Sequence, residues 1–289
     1  LQPIPRGADQ VEMDMALERY AYGNSTGAVF VCSLKDGTVL QTLQAQELGS
    51  GTRQPVRSVA FSPDGNKLAT RFAGGAMVIW DLPTQKQLLT SGLEATNLII
   101  AGMSFWPDAD KISFGDADAQ GQITVFDFAN HTKVATAVRV GARTFRFRPG
   151  TNQVAVATDN RVDLFPYPEE TPLQTLEAAT RIFLLAWSPD GARLAVATED
   201  GDVYVWDMVR GSQRIFRGHS EPCIRLTFSP DGELLASGSR DGTTRLWDVA
   251  QGQTLVIATE GLAHVFSHDG KRIGYWKPSV GFGTWRLVR

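Results

Sequence analysis

The chain has 289 residues, of which 43% are hydrophobic and 20% charged, values typical of a globular protein rather than a disordered one. Its formal net charge of −3 excludes a broad basic surface, so we expect neither a nucleic-acid nor a membrane partner. Cys32 and Cys223 are too few for a disulfide framework, and the longest apolar run, 98–106, is too short to span a bilayer.

A repeat runs through the whole chain. Its first copy includes GAVFVCSL (27–34), which has Cys32 where the later copies have an aromatic residue. Each later copy carries a turn of SPDG type; the turns lie at 62–65, 106–109, 148–151, 188–191, 229–232 and 267–270. The aromatic residue follows each turn after about eighteen positions; these residues are Trp80, Phe126, Phe165, Trp206, Trp247 and Trp285. Seven copies are therefore present.

Within one copy, short alternating strands are separated by turn residues. The sixth copy reads IRLTF, the turn SPDG, LLASGS, the turn RDG, TTRLWD, the turn VAQG and TLVIA. Pro-Asp-Gly and Asp-Gly are turn sequences, and no segment has a sustained helical period. We therefore predict an all-β, seven-bladed β-propeller with four antiparallel strands per blade. The third strands should end near residues 32, 80, 126, 165, 206, 247 and 286.

These motifs resemble those of WD-repeat β-propellers. The resemblance rests on GH at 218–219, on SPDG, on LASGS followed by Asp, and on WD at 80–81, 206–207 and 247–248. The style of the repeats is similar to that of bacterial WD-repeat proteins, in which propellers are often joined to signalling modules.

The two ends of the chain predict how the propeller closes. The chain stops after the third strand of the seventh copy, and LQPIPRGADQVEM at the N-terminus parallels LQTLEAATRIFLL (173–185). We therefore expect residues 1–5 to complete the last blade, which would remove an exposed sheet edge. Residues 1–289 would then form a single propeller domain. Because Leu1 is not a methionine, we also expect this domain to be a fragment of a larger protein.

Three residues of the sixth copy, His219, Ser237 and Asp241, are the residue types of a hydrolase triad. A triad serine needs an exposed hydroxyl beside an oxyanion hole, whereas Ser237 lies in the middle of a predicted strand. The resemblance implies another role, in which Trp247 joins them in a buried hydrogen-bonded chain that stabilises the blade. We interpret the set as structural and expect no catalytic residue.

Two further motifs are weak. GNSTG (23–27) matches the G-x-S-x-G pattern but lies between two strands, where the nucleophile elbow needs a strand and a helix. DADAQGQITVFD (116–127) has calcium-loop spacing but lacks flanking helices and the usual Glu. Both are interpreted as hairpins, so we expect no metal and no cofactor.

Arg146 is unusual on the inner strand of the fourth copy. The equivalent residues in the other copies are Glu12, Ala60, Ser104, Ala186, Thr227 and Val265. Because blades converge at the axis, small residues are expected there, and a lone Arg either faces the central channel or pairs with a carboxylate such as Glu12. A small-ligand-binding or enzymatic propeller that uses this channel is therefore an alternative.

In the WD-repeat propellers that these repeats resemble, partners mostly bind the face made by the hairpin turns and the loops that lead into the inner strands. The matching positions are Ser58, Arg143, Thr144, Glu199, Arg225, Arg240, Trp276 and Lys277. Arg and Trp are the residue types that anchor interfaces.

We therefore predict a noncatalytic scaffold or sensor domain that binds a protein or peptide on this face. We expect it to be a monomeric domain in the cytoplasm. A structural module of a multidomain signalling protein is a further alternative.

Overall fold

The computed structural model describes ten parts of the chain, and every regular element in them is a β-strand. The described residues are 11–45, 54–91, 102–106, 109–115, 122–128, 130, 132–137, 144–169, 171–277 and 281–287. The strands form seven antiparallel sheets in which each strand pairs with the next one in sequence. Six sheets have four strands, and the seventh has three among the described residues. The fold is a seven-bladed β-propeller, as the sequence predicted. The predicted closing strand, residues 1–5, lies outside the described residues.

The chain forms two compact units, the first made of residues 1–98 and 277–284. The first unit holds the first two blades. Blade 1 consists of β1 (Val11–Met13), β2 (Arg19–Gly23), β3 (Ala28–Ser33) and β4 (Val39–Gln44). Blade 2 consists of β5 (Val56–Phe61), β6 (Lys67–Phe72), β7 (Met77–Asp81) and β8 (Lys86–Ser91).

The second unit, residues 99–276 and 285–289, holds blades 3 to 6 and most of blade 7. Blade 3 consists of β9 (Gly102–Phe105), β10 (Lys111–Gly115), β11 (Gln122–Asp127) and β12 (Thr132–Ala137). Blade 4 consists of β13 (Thr144–Phe147), β14 (Gln153–Thr158), β15 (Arg161–Pro166) and β16 (Gln174–Glu177). Blade 5 consists of β17 (Ile182–Trp187), β18 (Arg193–Thr198), β19 (Val203–Asp207) and β20 (Ser212–Phe216). Blade 6 consists of β21 (Cys223–Phe228), β22 (Leu234–Ser239), β23 (Thr244–Asp248) and β24 (Gln253–Ala258). Blade 7 has β25 (Leu262–Phe266), β26 (Arg272–Lys277) and β27 (Gly281–Arg286).

The core lies between successive sheets, and one pair of positions recurs in it. The outer strand of one blade supplies a large apolar side chain that packs in the same cluster as the tryptophan of the next blade. The pairs are Leu43 with Trp80, Leu176 with Trp206, and Phe216 with Trp247. The rings of Phe216 and Trp247 lie 5.4 Å apart. We call Leu43, Leu176 and Phe216 the plug residues, because they fill the space beside the tryptophan.

The turns of SPDG type are closed in the same way in four blades. The serine hydroxyl donates to the aspartate carboxylate two residues later; the pairs are Ser62–Asp64, Ser188–Asp190, Ser229–Asp231 and Ser267–Asp269. For Asp190, this hydrogen bond is the main reason that the pKa of the carboxyl is lowered. The turns therefore hold their shape through side chains as well as backbone.

An arginine of one blade also binds the turn of the next blade. Arg19 donates to the carbonyl of Gly65 (2.7 Å), and Arg193 donates to that of Gly232 (3.2 Å). In blade 4 the strand position of these arginines is held by Gln153, and Arg148 from the neighbouring turn donates to the carbonyl of Gly191 instead (2.8 Å). We call this contact the arginine clasp.

Candidate functional site

Four side chains of blade 6 form a continuous hydrogen-bonded chain. The indole N–H of Trp247 donates to Ser237 Oγ at 2.8 Å. Ser237 Oγ lies 2.8 Å from His219 Nε2, and His219 Nδ1 lies 2.8 Å from Asp241 Oδ2. The loop before β21, the strands β22 and β23, and the hairpin between those strands thus meet at one imidazole.

Burial fixes the direction of these hydrogen bonds. Burial is the main reason that the pKa of His219 is lowered, so its imidazole is neutral at pH 7. Burial would raise the pKa of Asp241, but hydrogen bonds from Thr243 and His219 lower it to about 2. A neutral imidazole therefore donates from Nδ1 to the Asp241 carboxylate and accepts the Ser237 hydroxyl proton at Nε2.

The same geometry makes this set unsuited to hydrolysis. Ser237 is fully buried, and its oxygen already accepts the indole proton of Trp247. A nucleophilic serine must instead expose its oxygen to a carbonyl carbon beside oxyanion donors. The arrangement can hold three elements of the blade in register, which is what a satisfied buried network does.

Blade 2 has a reduced version of this network. Trp80 donates its indole N–H to Thr70 Oγ1 at 3.2 Å, in the place of the Trp247–Ser237 contact. Gly74 stands where blade 6 has Asp241, and its backbone N–H donates to Gln54 Oε1 at 2.8 Å. A glutamine from the loop before β5 therefore binds the hairpin of blade 2, where blade 6 uses an aspartate of the hairpin itself. The repeat pattern did not reveal this difference.

The residues predicted for the partner face differ widely in exposure. Glu199, Arg240 and Lys277 are exposed, whereas Ser58, Arg225 and Trp276 are half-buried. Thr144 is only 6% exposed, too little to contact a partner through its side chain. Arg143 lies outside the described residues.

Part of this face is assembled by a residue that the sequence did not single out. Leu262 pairs with Trp276 across β25 and β26, and Arg225 pairs with Gly238 across β21 and β22. A Cβ built on Gly238 would lie 3.3 Å from Leu262 Cβ and 3.4 Å from Arg225 Cβ. Gly238 thus lets Leu262 approach blade 6, so that Arg225, Leu262 and Trp276 are neighbours.

Arg146 occupies the inner-strand position that the sequence assigned to it. It pairs with Ala155, and its Nη1 donates to the carbonyl of Phe145 at 2.8 Å. In all seven blades the residue opposite this position is small; these residues are Ala21, Ala69, Ser113, Ala155, Ala195, Ala236 and Gly274. The pairing of Arg146 with Glu12 stays a prediction.

Two further features are absent from the part of the chain that the structure describes. No group of three His, Cys, Asp or Glu side chains there could hold a metal ion. Among the same residues, no helix has the length and apolarity needed to cross a membrane.

The described geometry is that of a seven-bladed propeller whose sixth blade contains a Trp–Ser–His–Asp network. A solved structure with the same fold is the β-propeller domain of Cps50 (Swd1) from Myceliophteria thermophila, with a TM-score of 0.76 and 14% identity over 99% of both chains. The WD domain, G-beta repeat family model matches residues 37–81, 170–207 and 210–248. The chain belongs to the WD-repeat β-propeller family.

Curated relatives match part of this chain. They include the protein groucho of Drosophila melanogaster, 27% identical over 52% of this chain, and a WD repeat-containing protein WDS homolog of Arabidopsis thaliana, 25% identical over 54%. The apoptotic protease-activating factor 1 of Rattus norvegicus is 21% identical over 68%. The matches cover 21%, 30% and 15% of these three relatives, so most of each relative lies outside the comparison.

Proposed function

We propose that this chain is a noncatalytic protein-interaction scaffold that binds a protein or peptide segment through Arg225, Arg240, Leu262 and Trp276. We call these four residues the blade 6–7 face. The observation that carries the proposal is the approach of Leu262 to Arg225 over Gly238, which places an apolar side chain, a cation and an indole side by side. Arg and Trp are residue types that often anchor interfaces, and Leu262 supplies an apolar neighbour to both.

The buried network supports the noncatalytic part of the proposal. Ser237, the one candidate nucleophile of the set, is 0% exposed and hydrogen-bonded on both sides. The family supports a scaffold role in general, because WD-repeat propellers typically bind proteins or peptides. We further propose that the domain works as a monomer in the cytoplasm and belongs to a larger signalling protein.

Affinity capture with matched charge variants tests the face. Arg240→Glu and Trp276→Ala should each lose partners that the wild type recovers. Arg210→Glu is the matched control, because Arg210 is 78% exposed and lies in the turn after β19, at the opposite end of its blade. Loss of the same partners in the Arg210 variant, or equal recovery in all variants, would contradict the proposed face.

Arg146 supports a second candidate function, a small-ligand or enzymatic site in the channel. Its position holds small or uncharged residues in blades 2, 3, 5, 6 and 7. Calorimetric titration with inorganic phosphate tests this candidate. Binding by the wild type that Arg146→Gln abolishes would support it, and no heat in either protein would remove it.

A further inference from the structure

A cavity of about 820 Å³ lies between blades 6 and 7, entirely within the second compact unit. On the side of blade 6 its lining includes Thr244, Leu246, Val256 and Ala258, and on the side of blade 7 it includes Ile273 and Trp285. Thr244 pairs with Ala258 and Leu246 pairs with Val256, so these four side chains share one face of their sheet.

The register of the outer strands explains why the cavity exists. The plug residues Leu43, Leu176 and Phe216 lie opposite the residue three positions before the aromatic position of their own blade. In blade 6 the residue at that position is Ala258; blades 2 and 3 also have small residues there, Ser91 and Thr136, but the aromatic residue of the next blade is then a phenylalanine. Trp285 of blade 7 therefore has a methyl group where the tryptophans of blades 2, 5 and 6 have a leucine or a phenylalanine.

A second replacement leaves the edge of the cavity apolar. In blades 1 and 5 the residue two positions before the plug residue is polar and reaches the next blade. Gln41 donates to the carbonyl of Leu82 at 3.0 Å, and Arg214 donates to that of Gln251 at 3.4 Å. In blade 6 this residue is Val256, which is 49% exposed. Both groups that close the equivalent interfaces are thus missing from β24.

The exposed surface continues the apolar lining outwards. Leu255, an extra residue in the pairing of β24 with β23, is 51% exposed and also lines the cavity. Charged residues of both signs, Glu233 and Arg286, line it as well. An apolar centre with a polar rim is the usual anatomy of a protein-binding pocket, and a rim of mixed sign selects no net charge.

We propose that this cavity is a second interaction site, which takes a leucine-sized or phenylalanine-sized side chain from an extended segment of a partner protein. The occupant follows from the three equivalent interfaces, where such side chains on extended strands pack in one cluster with the tryptophan at the position that Trp285 holds in blade 7. The cavity is continuous with the packed interface between blades 6 and 7. The site is independent of the blade 6–7 face proposed above.

Random linear peptides displayed on phage test this site, with selection on the wild type alone and measurement of each enriched peptide on Ala258→Phe, whose ring should occupy the position of a plug residue. Enriched peptides should share a bulky apolar residue, and their Kd should be raised about tenfold or more by Ala258→Phe and by Ala258→Leu. Leu173→Phe, at a position that is 64% exposed, is the matched control and should leave the Kd unchanged. Because filling a cavity adds packing, the Tm of both Ala258 variants should equal or exceed that of the wild type.

Two results would overturn the proposal. One is the selection of peptides that bind Ala258→Phe as tightly as the wild type. The other is enrichment only on a variant that lacks residues 1–10, which would assign the cavity to the chain's own N-terminal segment. Failure of the Arg240 and Trp276 variants to lose partners would affect the blade 6–7 face alone.

Discussion

Replacement of Ser237 by alanine should destabilise the chain more than the loss of one hydrogen bond would. Ser237 Oγ accepts from Trp247 and lies 2.8 Å from His219 Nε2, and the serine is fully buried. The substitution therefore leaves two buried polar groups without their partner. At about 1–3 kcal/mol for each group, the free energy of unfolding should fall by roughly 2–6 kcal/mol. In a chain of this size the Tm should fall by roughly 3–10 °C.

Calorimetric unfolding of Ser237→Ala beside Thr70→Val is the appropriate assay. Thr70→Val keeps the shape of the side chain and leaves one buried indole N–H, that of Trp80, without its acceptor. Its effect on Tm should therefore be about half that of Ser237→Ala. A double-mutant cycle with His219→Ala should give a coupling energy of about 1 kcal/mol, because the residues belong to one network. Equal Tm values for Ser237→Ala and Thr70→Val, together with additive effects in the cycle, would refute the reasoning.

Two other predictions concern the same blade and its neighbour. Gly201→Ala should lower the free energy of unfolding by about 2 kcal/mol or more, since Gly201 has φ +88° and an added Cβ would lie 2.7 Å from the carbonyl oxygen of His219. Gly211→Ala is the control and should lower it less, because Gly211 has φ +65° and an added Cβ would have nothing within 4 Å. Equal losses for the two variants in urea unfolding would contradict this prediction. Acid should weaken the fold in two steps, because folding lowers the pKa of His219 below 6.5 and that of Asp241 from 3.8 to about 2, so the unfolded chain binds more protons. Stability should be full above pH 6.5, fall as the pH drops below 6.5 and fall again between pH 3.8 and 2; a His219→Gln variant that kept the first step would contradict the assignment.

The period of the sequence predicted the blades because turn and aromatic residues recur together in each copy. The same alignment assigned Arg146 to the first strand of its blade, and it lies in β13, where the residue opposite this position is small in all seven blades. Its role in the channel stays a prediction. The cavity beside Ala258 could not be predicted in this way. An alanine in an outer strand is an ordinary residue until strand pairing shows that it stands where a plug residue belongs.

The exposure and contacts of the residues on the partner face could not be predicted from the repeat pattern either. Exposure depends on neighbours that are distant in sequence, so Thr144 and Arg240 were both predicted on the partner face although one is buried and the other exposed. Leu262 was overlooked because its role depends on the absence of a side chain at Gly238, which lies on β22 of the preceding blade. A repeat pattern reports which positions correspond, and it is silent about which side chains touch.

The arginine clasp has a consequence for how such a chain can be cut and recombined. Arg193 belongs to blade 5 but binds the backbone of blade 6, and Arg148 of blade 4 does the same for blade 5. If a whole blade were moved to another position, its arginine would meet the first turn of a different blade. The first turn of the moved blade would lose the arginine that donates to it. The segment that can be exchanged intact starts at the second strand of one blade and ends at the first turn of the next. Blade 4 needs an earlier start, because its donor, Arg148, lies in the first turn and binds both Gln153 Oε1 and the carbonyl of Gly191.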